Sequence, residues 1–90
     1  MNLTDNGSTA AYMHPGGLVT AIGRDDFGGG TVAVEVSDDG TNWVTPKDSN
    51  GDLAEYTDAF VLTIELAAGI HLRGTLSGAT APDFNLNFTS

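Results

Sequence analysis

"TVAVEVSDDGTNWV", residues 31–44, decides the fold class of this chain. Its first half alternates, so that the three valines occupy one face of an extended strand and Ala33 and Glu35 occupy the other. The "SDDGTN" that follows is rich in turn-forming residues, and "WV" then begins a short return strand. A strand with one apolar face that ends in a tight reversal indicates antiparallel β-structure.

The same alternation recurs along the chain. It predicts strands at 17–23, 60–66, 70–76 and 84–88, separated by segments rich in Gly, Asp, Asn, Ser and Pro, and residues 52–59 are expected to form a loop with a short strand. No long helix pattern occurs. The fold class predicted is therefore all-β, a small antiparallel β-sandwich or barrel of about six to seven short strands. We expect a single β-sandwich domain at 16–90 and, at 1–15, an extended N-terminal arm that orders against a neighbour.

Composition and charge restrict the function. The chain has 90 residues and a net charge of −9, with only three basic residues, which argues against binding to nucleic acid or to an anionic membrane. A basic or calcium-rich partner fits better, although an acidic surface also keeps a Gly-rich protein soluble. The N-terminal residues show no signal-peptide pattern, and no apolar run is long enough to span a membrane.

Sequence motifs predict no enzyme, no cofactor and no metal site. There is no nucleophile elbow and no Gly-rich phosphate loop ahead of a helix, and without cysteine the chain has neither disulfides nor a structural zinc cluster. "DSNGD", residues 48–52, resembles a calcium loop but lacks the required Gly and Glu, which favours an Asx-rich turn. A hairpin through residues 67–69 is predicted to place Glu65 opposite His71 and Thr63 opposite Arg73, as ordinary cross-strand pairs.

Trp43, the only tryptophan, has two interpretations. If it lies opposite Ser37 across a five-residue loop it faces outward with Glu35, and a loop one residue longer turns it inward. The large apolar area of the indole favours the inward, core position. In the outward position a ligand platform for a sugar ring would be formed by four residues: Asp38, Asp39, Asn42 and Trp43. A near-match to the Asp-box turn at 37–43 carries no reliable indication of glycosidase chemistry.

Two longer stretches carry a family resemblance. "GGTVAVEVSDDGTNWV" (29–44) and "ELAAGIHLRGTLSGAT" (65–80) resemble segments of small β-sandwich virion proteins of tailed bacteriophages. The resemblance implies a non-enzymatic structural protein, most simply a capsid decoration or cement protein, made in the bacterial host cytoplasm and mounted on the outer capsid surface of the virion. It would bind the major capsid protein and itself, as a homo-oligomer such as a trimer. The expected partner contacts lie in the arm and the first turn: Thr9, Tyr12, His14, Asp25, Asp26 and Phe27.

Two other functions stay open. One is a carbohydrate- or receptor-binding module of a phage tail or head fibre, which would use the outward Trp43 platform. The other is a free β-domain of the host with no role in a virion.

Overall fold

The structure is a computed structural model that describes residues 1–48 and 50–90. These residues form nine strands: β1 Asn2–Leu3, β2 Gly7–Ser8, β3 Tyr12–Met13, β4 Gly17–Asp26, β5 Thr31–Ser37, β6 Glu55–Tyr56, β7 Phe60–Leu66, β8 His71–Ser77 and β9 Asp83–Thr89. One antiparallel sheet has the order β1-β9-β4-β7. The other has the order β2-β8-β5-β6, with β3 also paired to β8. The predicted all-β fold, a small antiparallel β-sandwich, is confirmed.

The core lies between the two sheets and is built from the alternating apolar positions. Val32 and Val34 of β5 are fully buried, as predicted from their shared face. Fully burying a valine, leucine or phenylalanine side chain stabilises the fold by roughly 1.5–3 kcal/mol. The ring of Phe27 packs edge-on against two other rings, Phe60 and Phe84. The remaining large apolar side chains with almost no exposed surface are Leu72, Leu76, Leu86 and Val19.

Two glycines make room for core side chains. A Cβ atom at Gly23 would overlap the ring of Phe60, its direct partner across β4 and β7. A Cβ atom at Gly74 would likewise overlap Leu86 of the facing sheet. Close packing therefore requires the absence of a side chain at both positions.

The predicted hairpin between β7 and β8 is wrong. β7 pairs with β4, where Glu65 lies opposite Leu18, whereas β8 pairs with β5, where Arg73 lies opposite Glu35. Residues 67–70 therefore cross from one sheet to the other. Two amphipathic strands can bury their apolar faces either side by side or across a sandwich, and alternation does not distinguish the two arrangements.

Residues 1–15, predicted to form an arm, lie along the edges of the same sandwich. β1 pairs with β9, and β2 and β3 both pair with β8. Between these pairs the amide of Thr9 donates to the carbonyl of Gly74 at 2.9 Å, and the amide of His14 donates to the carbonyl of Ile70 at 2.8 Å. The protein's own domain therefore orders this segment. Within the described residues, no helix has the length and apolar character needed to cross a bilayer.

Candidate functional site

A row of interacting polar side chains lies on the solvent-facing side of the five-stranded sheet. Register places Glu35 opposite Arg73, and the Arg73 Nε donates to Glu35 Oε1 at 2.8 Å. The hydroxyl of Thr75 donates to the same carboxylate oxygen, and the hydroxyls of Thr75 and Ser8 lie 2.8 Å apart. Because both members of the ion pair are largely covered, it is screened less than an exposed pair. These bonds tie β2, β8 and β5 together on their outer side.

Trp43 belongs to this outer row, so the favoured prediction that it fills the core is wrong. Val36 and Val44 pair through two backbone hydrogen bonds of 2.8 and 2.9 Å, which sets Trp43 opposite Ser37 in the outward register. The half-buried indole packs over Arg73, whose Cζ lies 4.2 Å from the ring centroid. A guanidinium held over an aromatic face gives a favourable cation–π contact. The guanidinium thus covers one face of the indole, which burial in the core was expected to hide.

The turn before Trp43 is organised around Asp39. Its Oδ1 accepts the amides of Thr41 and Asn42, each at 2.8 Å, and the hydroxyl of Ser37 at 2.9 Å. Its Oδ2 accepts the side-chain amide of Asn42 at 2.7 Å. The backbone amide of Asn42 is the largest of the causes that hold the pKa of Asp39 far below its usual range, followed by the amide of Thr41. The carboxylate is therefore used to build the turn.

The four residues of the alternative ligand platform are brought together, because they lie on or beside this single turn. Their polar groups are nevertheless largely occupied: Asp39 and Asn42 bond to each other, and Arg73 covers one face of Trp43. Asp38 is exposed and lines a neighbouring cleft. The arrangement therefore offers a sugar one free carboxylate and part of an indole, which is a small recognition surface.

The cleft beside the turn, named here the seam cleft, opens between the two sheets. Its volume is about 280 Å³. Four apolar side chains line it together with three polar residues: Val36, Val44, Leu66 and Ile70, and Ser37, Asp38 and Asn42. The sequence did not predict this cleft, because it depends on β7 and β8 belonging to different sheets.

The edge of β7 is the second feature that the sequence did not predict. The other sheet edges carry short segments: β1 on β9, residues 7–14 on β8, and β6 with Val44 on β5. β7 is the last strand of its sheet, and among the described residues no further strand or loop backbone hydrogen bond reaches Phe60–Leu66 from its outer side. Seven residues of backbone therefore form an open edge.

The residues predicted to contact a partner are spread over the molecule. Thr9, His14 and Phe27 are buried within the protein's own domain, which argues against that role because a partner would have to displace existing packing. Asp25 and Asp26 are exposed and engaged locally, since Asp25 accepts Asn85 Nδ2 and Asp26 accepts the amide of Gly28. Tyr12, the sixth of these residues, is half-buried, and its ring stacks on that of Phe88 with the ring centroids 5.6 Å apart.

His14 is the one buried titratable side chain at these positions. Its Nε2 lies 2.8 Å from the carbonyl of Gly17, so this nitrogen carries the proton and donates. Its Nδ1 is buried with no hydrogen-bond partner in the described part of the chain.

No metal site emerges within the described residues, and no known relative of the chain emerges. Residues 1–48 and 50–90 contain no group of three or more His, Asp or Glu placed to hold a metal ion. In the stretch predicted to form an Asx-rich turn, Asp48 Oδ1 accepts the amides of Asn50 and Asp52, and Ser49 lies outside the described residues. No protein-family model, no curated protein and no solved structure matches the chain.

Proposed function

We propose that this protein is a non-enzymatic structural component of a phage virion, most specifically a capsid decoration or cement protein that binds the outer capsid surface. One observation carries the proposal: the outer face of the four-stranded sheet presents large apolar side chains to solvent. Leu18 is 62% and Val61 70% exposed, and Ile22, which pairs directly with Val61, is 37% exposed. Exposed apolar groups on adjacent strands of a sheet are typical of a surface that another protein covers.

Charged side chains lie at both ends of this apolar group of Leu18, Ile22 and Val61. Glu65 pairs with Leu18 at one end and the exposed Arg24 follows Ile22 on β4 at the other, while the whole chain carries a net charge of −9. A partner with an apolar centre and a basic rim is complementary to such a surface. In the proposal this partner is the major capsid protein, and the protein itself binds as a homo-oligomer such as a trimer. An interface of roughly 1,000 Å² or more for each copy is the usual requirement for a stable complex, and repetition over the shell multiplies its effect.

The proposal is tested on particles. Immunogold labelling of purified virions with antibody against the native protein is expected to place gold over the head. Capsids that lack the protein are expected to bind it when it is added back and then to resist heating better. Gold confined to the tail, or capsids that bind no added protein, would refute the decoration function.

A second candidate function is a carbohydrate- or receptor-binding module on a tail or head fibre. The outward position of Trp43 beside Asp38 favours it. The Arg73 guanidinium over the indole weighs against it, because a stacked sugar would have to displace that cation. Glycan binding by the wild-type protein that Trp43→Ala abolishes without unfolding would establish this function.

A further inference from the structure

We propose that β7 binds an extended segment of the partner protein, which adds to the four-stranded sheet as a new edge strand and inserts an apolar side chain into the seam cleft. This inference rests on the proposed function only for the identity of the partner, the major capsid protein. The chemistry of the occupant follows from the edge itself. It is a strand in which apolar and basic residues alternate.

The first step is that β7 is open along all seven of its residues, whereas the outer sides of β8 and β5 are covered and that of β9 is covered at Phe84–Leu86. The backbone of β8 is bonded by residues 7–14, and that of β5 by β6, Ala54 and Val44. Open edges are also protected in many proteins by lysine, by proline or by very short strands. β7 spans seven residues and contains neither lysine nor proline. Its amide and carbonyl groups are therefore available to a strand from another protein.

The second step is that the core is incompletely covered at one end of this edge. Phe60 and Leu62 are buried, whereas Ile64 and Leu66 on the same face of β7 are only half-buried. Leu66 also lines the seam cleft. An added strand continues the inner face of the sheet, so its inward side chains would lie beside Ile64 and Leu66 and reach the cleft. The cleft thus supplies a pocket for one apolar side chain of the occupant.

The third step is charge. The outward face of β7 presents Val61, Thr63 and Glu65, all exposed, and Asp38 lies at the cleft. The three basic residues of the chain, Arg24, Lys47 and Arg73, are outside β7. A second copy would bring another acidic strand and another charge of −9 against this edge. A partner strand with Lys or Arg in its outward positions instead pairs with Glu65, which favours a different protein over self-pairing.

The edge can be tested on the isolated protein with a defined probe. A short peptide of alternating valine and lysine is added at neutral pH, and backbone amide exchange is followed residue by residue. We expect exchange of the outward-pointing amides of Phe60–Leu66 to slow by about tenfold or more, because pairing protects them. A peptide of alternating valine and glutamate is the control and should leave them unchanged. Glu65→Lys should reverse the preference between the two peptides.

The same edge is then tested on capsids that lack the protein. Val61→Lys places a charge on the open edge, and Met13→Lys is the matched control, because Met13 is 62% exposed on β3, which pairs with β8 in the other sheet. Val61→Lys should weaken capsid binding by about tenfold or more, whereas Met13→Lys should bind as the wild type does. Circular dichroism establishes that both variants are folded.

The outcomes separate this inference from the proposed function. No protection of β7 by the valine–lysine peptide would overturn the inference, as would concentration-dependent dimerisation that protects the same amides. Capsid binding that is equal for the wild type and Val61→Lys would overturn it and would also remove the exposed apolar face as support for the decoration function, whereas absent peptide protection together with normal capsid binding of the wild type would overturn the inference alone. Failure of the wild type to bind capsids would refute the decoration function, and the peptide result alone would then decide whether the edge binds a basic strand.

Discussion

Replacing Trp43 by alanine tests the outward position of the indole. In the structure this substitution removes a half-buried side chain and its contact with Arg73 at 4.2 Å. A cation–π contact stabilises by about 0.5–1 kcal/mol when exposed and by about 2 kcal/mol when desolvated. With the partial loss of apolar burial, we expect Trp43→Ala to cost about 1–2 kcal/mol, whereas truncating the fully buried Phe84 should cost about 3–5 kcal/mol.

The comparison is made by thermal unfolding followed by far-ultraviolet circular dichroism, because the substitution removes the only tryptophan fluorophore. One kcal/mol corresponds to about 4–8 °C in Tm for a domain of this size, so the two variants should be clearly resolved. Arg73→Met, alone and combined with Trp43→Ala, measures the coupling between the two side chains. If Trp43→Ala were as destabilising as Phe84→Ala, the indole would be a core residue and the outward register would be incorrect.

Three further predictions follow from particular contacts. Gly23→Ala should destabilise by about 1–3 kcal/mol because its Cβ overlaps Phe60, and chemical denaturation should show a smaller cost in a Phe60→Leu background. Because the pKa of Asp39 is depressed in the folded protein, its carboxylate stabilises the fold above the pKa of an unfolded aspartate, about 4, and this effect is lost as the pH falls. The difference in Tm between the wild type and Asp39→Ala should therefore shrink in acid. A difference that stays constant with pH would contradict this. Removing residues 1–14 should lower Tm and promote aggregation, measured by light scattering, because it uncovers the edge of β8.

The sequence predicted which face of each strand is buried, because in an extended strand successive side chains point to opposite faces and apolar residues at every second position identify the buried one. The buried valines of β5 and the inward faces of β7 and β9 follow directly from alternation. It did not predict which strands are neighbours. The connection at 67–70 has the composition of a hairpin, yet it joins two sheets, since pairing is decided by contacts far apart in the chain.

The predicted position of Trp43 is incorrect for a related reason. Hydrophobic area alone favours the core, but the register fixed by Val36 and Val44 leaves Trp43 on the outer face, where Arg73 of a distant strand covers it. The loop length alone allows two registers, and the pairing of Ser37 with Trp43, which turns the indole outward, is one of them. Only the cross-strand position of Arg73, opposite Glu35, makes the outward alternative favourable.

The distribution of covered and open edges is the strongest link between this fold and an interaction. Residues 7–14 cover the edge of β8, and Val44, Ala54 and β6 lie along β5, so much of the described chain outside the long strands lies on sheet edges. An open edge favours aggregation, and a net charge of −9 opposes pairing of β7 with the same edge of a second copy. The charge that discourages self-pairing attracts a basic strand. An acidic sandwich with β7 left open is therefore suited to binding a different, basic protein, as the proposed attachment to a capsid requires.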